Sequence, residues 1–164
     1  MRTLILLIFV SSLNMLIAQK FGHVNSLQLL QEMPDVTNAE KSLEEHGNQL
    51  KMQIQNMYME YQNKVAEYQR DEATMLESIK EMKLNDIQSI QQRIAGAEQT
   101  AQQDLLKKKE ELYAPILKKV EDAISAVAKE NSFAYIFDTS SGSVLFAQDS
   151  DDVSSMVKKK LNMD

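Results

Sequence analysis

The sequence contains no cysteine, only two prolines and only four glycines, and these shortages exclude several classes of protein. Without cysteine the chain can form no disulfide and cannot be a lipoprotein, and His23 and His46 are too few for a zinc site. No glycine-rich phosphate loop is present, and no base accompanies the serines of residues 140–143. The acidic run Asp149–Asp152 lacks the glycine and the distal glutamate of a calcium loop. We therefore predict that the protein is not an enzyme and uses no cofactor and no metal.

An excess of basic residues is also missing. When Arg2 is left out, 17 basic residues stand against 24 acidic ones, a net charge of −7. This balance argues against a nucleic-acid partner, whose affinity would come mainly from Lys and Arg on phosphates. It also weakens any electrostatic attraction to an anionic membrane.

Residues 1–18 have the pattern of a secretory signal peptide. Arg2 precedes a short apolar core, and the small residue Ala18 follows it. We predict cleavage near Ala18 and export of the mature chain. A retained N-terminal anchor is the alternative, although the apolar stretch falls short of the ~20 residues that a membrane span needs.

About ninety residues, from Ala39 to Lys129, read as helix, because they contain one proline, two glycines and no turn cluster. Two apolar stripes recur every 3.6 residues or so, which is one face of an α-helix. The first contains Leu43, Leu50, Ile54, Met57, Tyr61, Val65, Tyr68, Met75, Ile79 and Met82; the second contains Ile87, Ile90, Ile94, Ala97, Ala101, Leu105, Leu112, Ile116, Val120, Ala123 and Val127. The stripes predict an antiparallel coiled coil with its reversal between Asp71 and Asp86. One unbroken rod is the alternative.

Strand-like segments flank this helical run. They are Phe21–Ser26, Phe133–Phe137 and Val144–Ala147, the last two being separated by a turn rich in Asp, Ser and Gly. Strands at both ends of the chain can pair only if the helices double back. The predicted fold is therefore α+β, with a long antiparallel helical-hairpin coiled-coil arm on a small three-stranded oligomerisation body.

Several segments carry a resemblance to a known family. They are Lys20–Ser26, Leu29–Pro34, Ala39–Leu43, Leu112–Ile116, Ala123–Ala128 and Tyr135–Asp138, with the closing residues Asp152, Val153, Val157 and Leu161. In their order and spacing these segments resemble the Skp (OmpH-type) family of periplasmic chaperones for outer-membrane proteins. The resemblance implies a periplasmic homotrimer that holds unfolded outer-membrane proteins in a cavity between its arms, without ATP. It divides the chain into a signal peptide (1–18), a trimerisation body (19–36 and 113–164) and an arm (37–112). The net charge departs from the family. Its best-known members are strongly basic, whereas this chain without residues 1–18 has a net charge of −7.

Three groups of residues are the predicted functional sites. Three short strands cannot form a stable isolated sheet, so their apolar side chains should be buried between subunits. The predicted trimer interface is Phe21, Val24, Tyr135, Phe137 and Phe146. Flexible Met and Tyr side chains of the arm should contact clients, namely Met57, Met59, Tyr61, Tyr68, Met75 and Met82, although packing is the competing interpretation. Pro115 is predicted as a hinge, with a tolerated kink as its alternative.

Two functions remain open at this stage. The first is a holdase chaperone without nucleic-acid partners or an integral membrane span. The second is a structural coiled-coil protein of the cell envelope that acts as a spacer or tether.

Overall fold

The computed structural model describes residues 19–163, so the predicted signal peptide and its cleavage near Ala18 lie outside the described residues. The chain order begins with strand β1 (Lys20–Val24), helix α1 (Ser26–Glu32) and helix α2 (Pro34–Asp71). A 3₁₀ turn (Glu72–Thr74), helix α3 (Glu77–Glu130) and strand β2 (Phe133–Asp138) follow. A second 3₁₀ turn (Asp149–Asp151) and helix α4 (Ser154–Lys160) complete the described chain.

These elements divide into two compact units, with the boundaries at Glu32/Met33 and Leu117/Lys118. The helix-pair unit spans Met33–Leu117, and the sheet unit contains residues 19–32 and 118–163. None of the helices in the described part of the chain is long and apolar enough to cross a membrane.

In the helix-pair unit, α2 and α3 run side by side in opposite directions. His46 Nε2 lies 2.9 Å from Asp104 Oδ2, Gln91 donates to the Tyr61 hydroxyl at 2.9 Å, and Lys64 Nζ lies 3.3 Å from Asp86 Oδ2. The partner's number in α3 falls as the residue number in α2 rises, which defines an antiparallel pair. The reversal falls at residues 72–76, inside the range that the sequence predicted.

Helix α2 begins at Pro34, and the first hydrogen bonds of α3 are accepted by the carbonyl of the preceding residue, Leu76. Met33 precedes α2 in an extended conformation, and Pro34 fits the first helical turn because that turn needs no N–H from it. After the reversal, Met75 is extended, and the Leu76 carbonyl accepts hydrogen bonds from Ile79 (2.9 Å) and Lys80 (3.1 Å).

The second predicted stripe forms the buried side of α3. In the helix-pair unit Ile90, Ile94, Ala101 and Ile116 are buried, whereas no residue from 40 to 89 is. This unit therefore has a thin core. In the sheet unit the buried residues are Val24, Leu29, Val120, Ala123, Val127, Val153, Val157 and Leu161.

The sheet has two parallel strands, which corrects the prediction of three. Phe21 pairs with Tyr135 and His23 with Phe137, while an isolated bridge joins His23 to Asp152 on the other side of β1. Val144–Ala147 is not a strand. The expected hairpin does not form: after β2, Thr139 continues the pairing with β1 by donating to the Val24 carbonyl at 2.9 Å, and the loop that follows contains no strand.

Candidate functional site

An aromatic surface covers one face of the two-stranded sheet. Strand alternation places Phe21, Tyr135 and Phe137 on the same side, and their ring centroids lie 6.0–6.3 Å apart. About half of each of these side chains is exposed. Aromatic side chains contribute large areas at interfaces, so an exposed cluster of three marks a binding surface.

The loop after β2 extends this surface. Phe21, Phe137 and Phe146 line one open cavity of about 390 Å³. Phe146 is 82% exposed and Leu145 is 97% exposed. We call Phe21, Tyr135, Phe137 and Phe146 the aromatic surface. These four are the aromatic residues of the predicted interface.

Val24, the fifth residue of the predicted interface, belongs to the opposite face of the sheet. Phe21 and Val24 are three residues apart, and in a strand an odd spacing places side chains on opposite faces. Val24 is only 1% exposed within a single chain. Its side chain therefore contributes to the core of the sheet unit and not to the exposed aromatic surface.

The residues predicted to contact clients differ in exposure. Met59 and Met82 are exposed, whereas Met57, Tyr61, Tyr68 and Met75 are half-buried. Met82 was placed on the inner stripe by its spacing, but the chain reversal interrupts the periodicity before α3 begins, so the side chain points outwards.

Both tyrosines of this group already have hydrogen-bond partners. The Tyr61 hydroxyl accepts from Gln91 across the helix pair, and the Tyr68 hydroxyl donates to Glu72 at 3.2 Å. Partial desolvation, together with the hydrogen bond to Glu72, raises the pKa of Tyr68. These tyrosines are fixed in part by the helix pair itself.

Sequence reasoning missed four exposed leucines of the helix-pair unit. Leu76, Leu84, Leu106 and Leu117 are each between 48% and 73% exposed. We call them the outer leucines. A signal for them existed, because each is a large apolar residue that lies off both stripes.

Pro115 lies inside α3, which continues unbroken to Glu130. The boundary between the two units falls after Leu117, two residues later. The structure thus locates Pro115 next to the division of the chain, and its role as a hinge stays a prediction.

Within residues 19–163, no group of three or more His, Asp or Glu side chains is arranged to hold a metal ion. The candidate sites are the aromatic surface of the sheet unit and the exposed apolar side chains of the helix-pair unit. Exposed apolar patches mark sites of interaction with proteins, membranes or ligands.

Comparison with known proteins agrees with this architecture. The sequence matches the family "Outer membrane protein (OmpH-like)" over residues 20–161. The chain therefore belongs to the OmpH-like family. No curated protein matches the chain.

A solved structure shares the fold. It is the crystal structure of a candidate outer membrane chaperone (OmpH-like) from Caulobacter crescentus CB15, with a TM-score of 0.78 and 12% sequence identity. The similarity covers 88% of this chain and 84% of that one. At this level of identity the comparison shows a shared fold of long helices with a small sheet.

Proposed function

We propose that this protein is an ATP-independent periplasmic holdase chaperone, a homotrimer that binds unfolded outer-membrane proteins in a cavity between its helical arms. The observation that carries this proposal is the long antiparallel helix pair with little core and many exposed apolar side chains. Membership of the OmpH-like family supports the same conclusion.

The helix-pair unit suits an arm that binds unfolded chains. From residue 40 to residue 89 no side chain is fully buried, so this half of the unit offers its apolar atoms to a partner. Met59, Met82 and the outer leucines supply flexible contacts at many positions. An unfolded β-barrel chain exposes alternating apolar residues, which several such contacts can engage at once.

The charge of the helix pair favours apolar contacts over electrostatic capture. Between Ala39 and Glu110 there are 10 basic and 13 acidic residues. Several of these charges pair across the two helices, as Lys64 does with Asp86 and Lys83 with Glu67. A client therefore meets a mixed and partly neutralised surface.

The sheet unit suits a trimerisation body. Its two strands carry the aromatic surface, and a two-stranded sheet is marginal on its own. Burial of Phe21, Tyr135, Phe137 and Phe146 between three subunits would remove these rings from water. We propose 19–36 and 113–164 as the body, 37–112 as the arm and Pro115 as the hinge between them.

The test is an aggregation assay. A β-barrel outer-membrane protein unfolded in urea is diluted into buffer with and without the purified mature protein, in the absence of ATP, and light scattering is recorded. We expect the protein to suppress the aggregation. If the trimer leaves aggregation unchanged, the holdase proposal is wrong, and the structural spacer or tether becomes the better explanation.

The helix-pair surface has a matched test in the same assay. A variant with the exposed residues Met59 and Met82 changed to Ser should suppress aggregation less well than the parent. Ser78→Ala and Ser89→Ala, at exposed positions of the same unit, form the control and should act as the parent does.

A further inference from the structure

Asparagine and glutamine recur as adjacent pairs every seven residues along α2, at 48–49, 55–56 and 62–63. Met52 and Met59 lie between the pairs at the same spacing. Seven residues are nearly two turns of an α-helix, so all of these side chains form one stripe along the helix. All of them are exposed, Met52 to 57% and Met59 to 49%. We call this set the amide–methionine stripe.

The stripe lies on the side of α2 that faces away from α3. Tyr61, which is hydrogen-bonded to α3, is nine residues from Met52, and nine residues make two and a half turns. The solvated side of an amphipathic helix usually carries its charged residues. In residues 47–66, however, the charged residues are Lys51, Glu60 and Lys64, and none of them belongs to the stripe. Binding surfaces are depleted of charge and enriched in methionine in the same way.

The chemistry of the stripe fits an uncharged, extended polypeptide. A carboxamide has an acceptor oxygen and two N–H donors, which can pair with the N–H and C=O groups of a backbone that lacks secondary structure. The methionines add flexible apolar contacts. A charged segment would lose hydration on the stripe and meet no opposite charge there. From residue 48 to residue 63 the stripe is about 23 Å long, which matches about seven residues of extended chain.

A second copy of the chain fits the stripe less well. A stable interface buries about 800 Å² on each partner. Met52 and Met59 are the large apolar side chains of the stripe, and each is already half-buried in a single chain, so they supply only a small part of that area. The stripe therefore suits weak contacts that several segments of one client can make in turn.

We propose that the amide–methionine stripe is a binding site for extended, uncharged segments of a client polypeptide, which it contacts through their backbone. The spanning strands of β-barrel proteins, about ten residues of alternating apolar and polar side chains, provide such segments. The inference rests on the proposed holdase function and assigns part of it to one side of α2.

Helix α3 provides a matched control. Gln92 and Gln99 are exposed, lie seven residues apart like Gln55 and Gln62 of the stripe, and have no methionine within a turn of them. Gln→Glu at either pair adds the same charge at the same spacing. The two double variants therefore differ only in the side of the helix pair that they alter.

The first measurement is the affinity for a dye-labelled β-barrel protein, diluted from urea and followed by fluorescence anisotropy. Gln55→Glu with Gln62→Glu should raise the Kd at least about fivefold, because each new carboxylate loses hydration against the client. Gln92→Glu with Gln99→Glu should change the Kd less than about twofold, since these positions stay solvated.

The second measurement locates the client. The chain contains no cysteine, so Asn56→Cys in the stripe, or Gln92→Cys as its control, can be labelled uniquely with benzophenone maleimide. On illumination we expect the client to cross-link to residue 56 and far less to residue 92. An uncharged ten-residue peptide of alternating valine and serine should compete with the client, and an acidic peptide of the same length should not.

Equal effects of the two double variants, equal cross-linking at the two positions, or equal competition by the acidic peptide would overturn the stripe as this site. Suppression of aggregation by the same protein would then leave the holdase proposal standing. A stripe variant whose mass by light scattering differs from that of the parent would assign the stripe to contact between copies and also overturn the inference. A parent that neither cross-links to the client nor suppresses its aggregation would overturn the holdase proposal as well.

Discussion

Asp138 connects the end of β2 to the start of α1 through hydrogen bonds. Its carboxylate accepts hydrogen bonds from the Ser26 N–H (3.1 Å), the Ser26 hydroxyl (2.5 Å), and the N–H and hydroxyl of Ser140 (both 2.9 Å). Partial desolvation raises the pKa of Asp138, but these hydrogen bonds outweigh it and hold the pKa below its usual value. The ionised carboxylate is therefore the form that stabilises the fold.

We expect Asp138→Asn to lower the free energy of unfolding by about 1 kcal/mol at pH 7, since hydrogen bonds to a charged group weaken and this one is partly solvated. A depressed pKa adds stability above about pH 4, and that contribution is lost as the pH falls through the folded-state value. Urea unfolding at pH 7 and pH 3 should thus show a difference between parent and variant that shrinks in acid.

The control is Asp122→Asn, whose exposed pair with Lys118 should contribute little. An effect of Asp138→Asn that is equally large at pH 3 would contradict the assigned role of the charge.

Substitution by alanine should change the stability of the protein in opposite directions at Gly22 and at Gly96. A Cβ on Gly22 would lie 2.9 Å from Val153 Cγ1 and 3.1 Å from Phe133 Cε1, and Val153 is buried. Overpacking there should destabilise the protein by about 1–3 kcal/mol. A Cβ on Gly96 meets nothing within 4 Å, so alanine should stabilise α3 by about 0.5–1 kcal/mol. Thermal unfolding of the two variants checks both signs, and equal effects would refute the packing argument.

Periodicity predicted α3 well and failed at the reversal. From Ile87 to Val127 every member of the second stripe is buried or half-buried, because one continuous helix keeps its phase. The first stripe was extended through Ile79 and Met82, but both are exposed. Residues 72–76 interrupt the helix there without a glycine or proline to mark the break. The break changes which residues face the partner helix. Residue spacing alone does not reveal this change, because it depends on how the two helices pack.

The strands show a second limit of prediction from sequence. Val144–Ala147 has strand composition, yet pairing depends on a partner. The His23 imidazole donates to the Gln148 carbonyl and so keeps the end of this loop beside β1. Composition predicts the capacity to form a strand and not the partner. Composition and strand alternation together account for the aromatic surface, whereas the position of Val24 along β1 puts its side chain on the opposite, buried face. The assignment of these residues to a subunit interface stays a prediction.

The thin core of the helix pair leads to a prediction about α3. Ile90 is 1% exposed, and Ile90→Ala should lower the free energy of unfolding by about 2–4 kcal/mol through loss of burial and a residual cavity. Leu84→Ala removes an aliphatic side chain of similar size from the exposed side of the same helix and should cost under about 1 kcal/mol. Chemical unfolding followed by circular dichroism compares them, and equal losses would mean that the two helices do not pack through Ile90.

The proposed trimer should be sensitive to a charge within the aromatic surface. Tyr135→Asp places a charge in the proposed interface, where it would be buried without a partner, so the trimer should dissociate. Leu76→Asp places the same charge at an exposed position of the helix-pair unit and should leave the trimer intact. Light scattering after size exclusion should give three times the chain mass for the parent and for Leu76→Asp. A parent that is monomeric at micromolar concentration would refute the assembly.

The binding of clients should depend little on salt. Residues 19–164 have a net charge of −7 and the helix pair mixes both signs, so no strong field attracts an unfolded chain. Raising the salt from 50 to 500 mM shortens the screening length about threefold, which weakens electrostatic capture but not apolar burial. We expect the dissociation constant for an unfolded β-barrel protein to change by less than about fivefold, measured by fluorescence anisotropy. If binding is abolished at 500 mM, charge dominates and the exposed methionines and leucines of the helix pair serve another purpose.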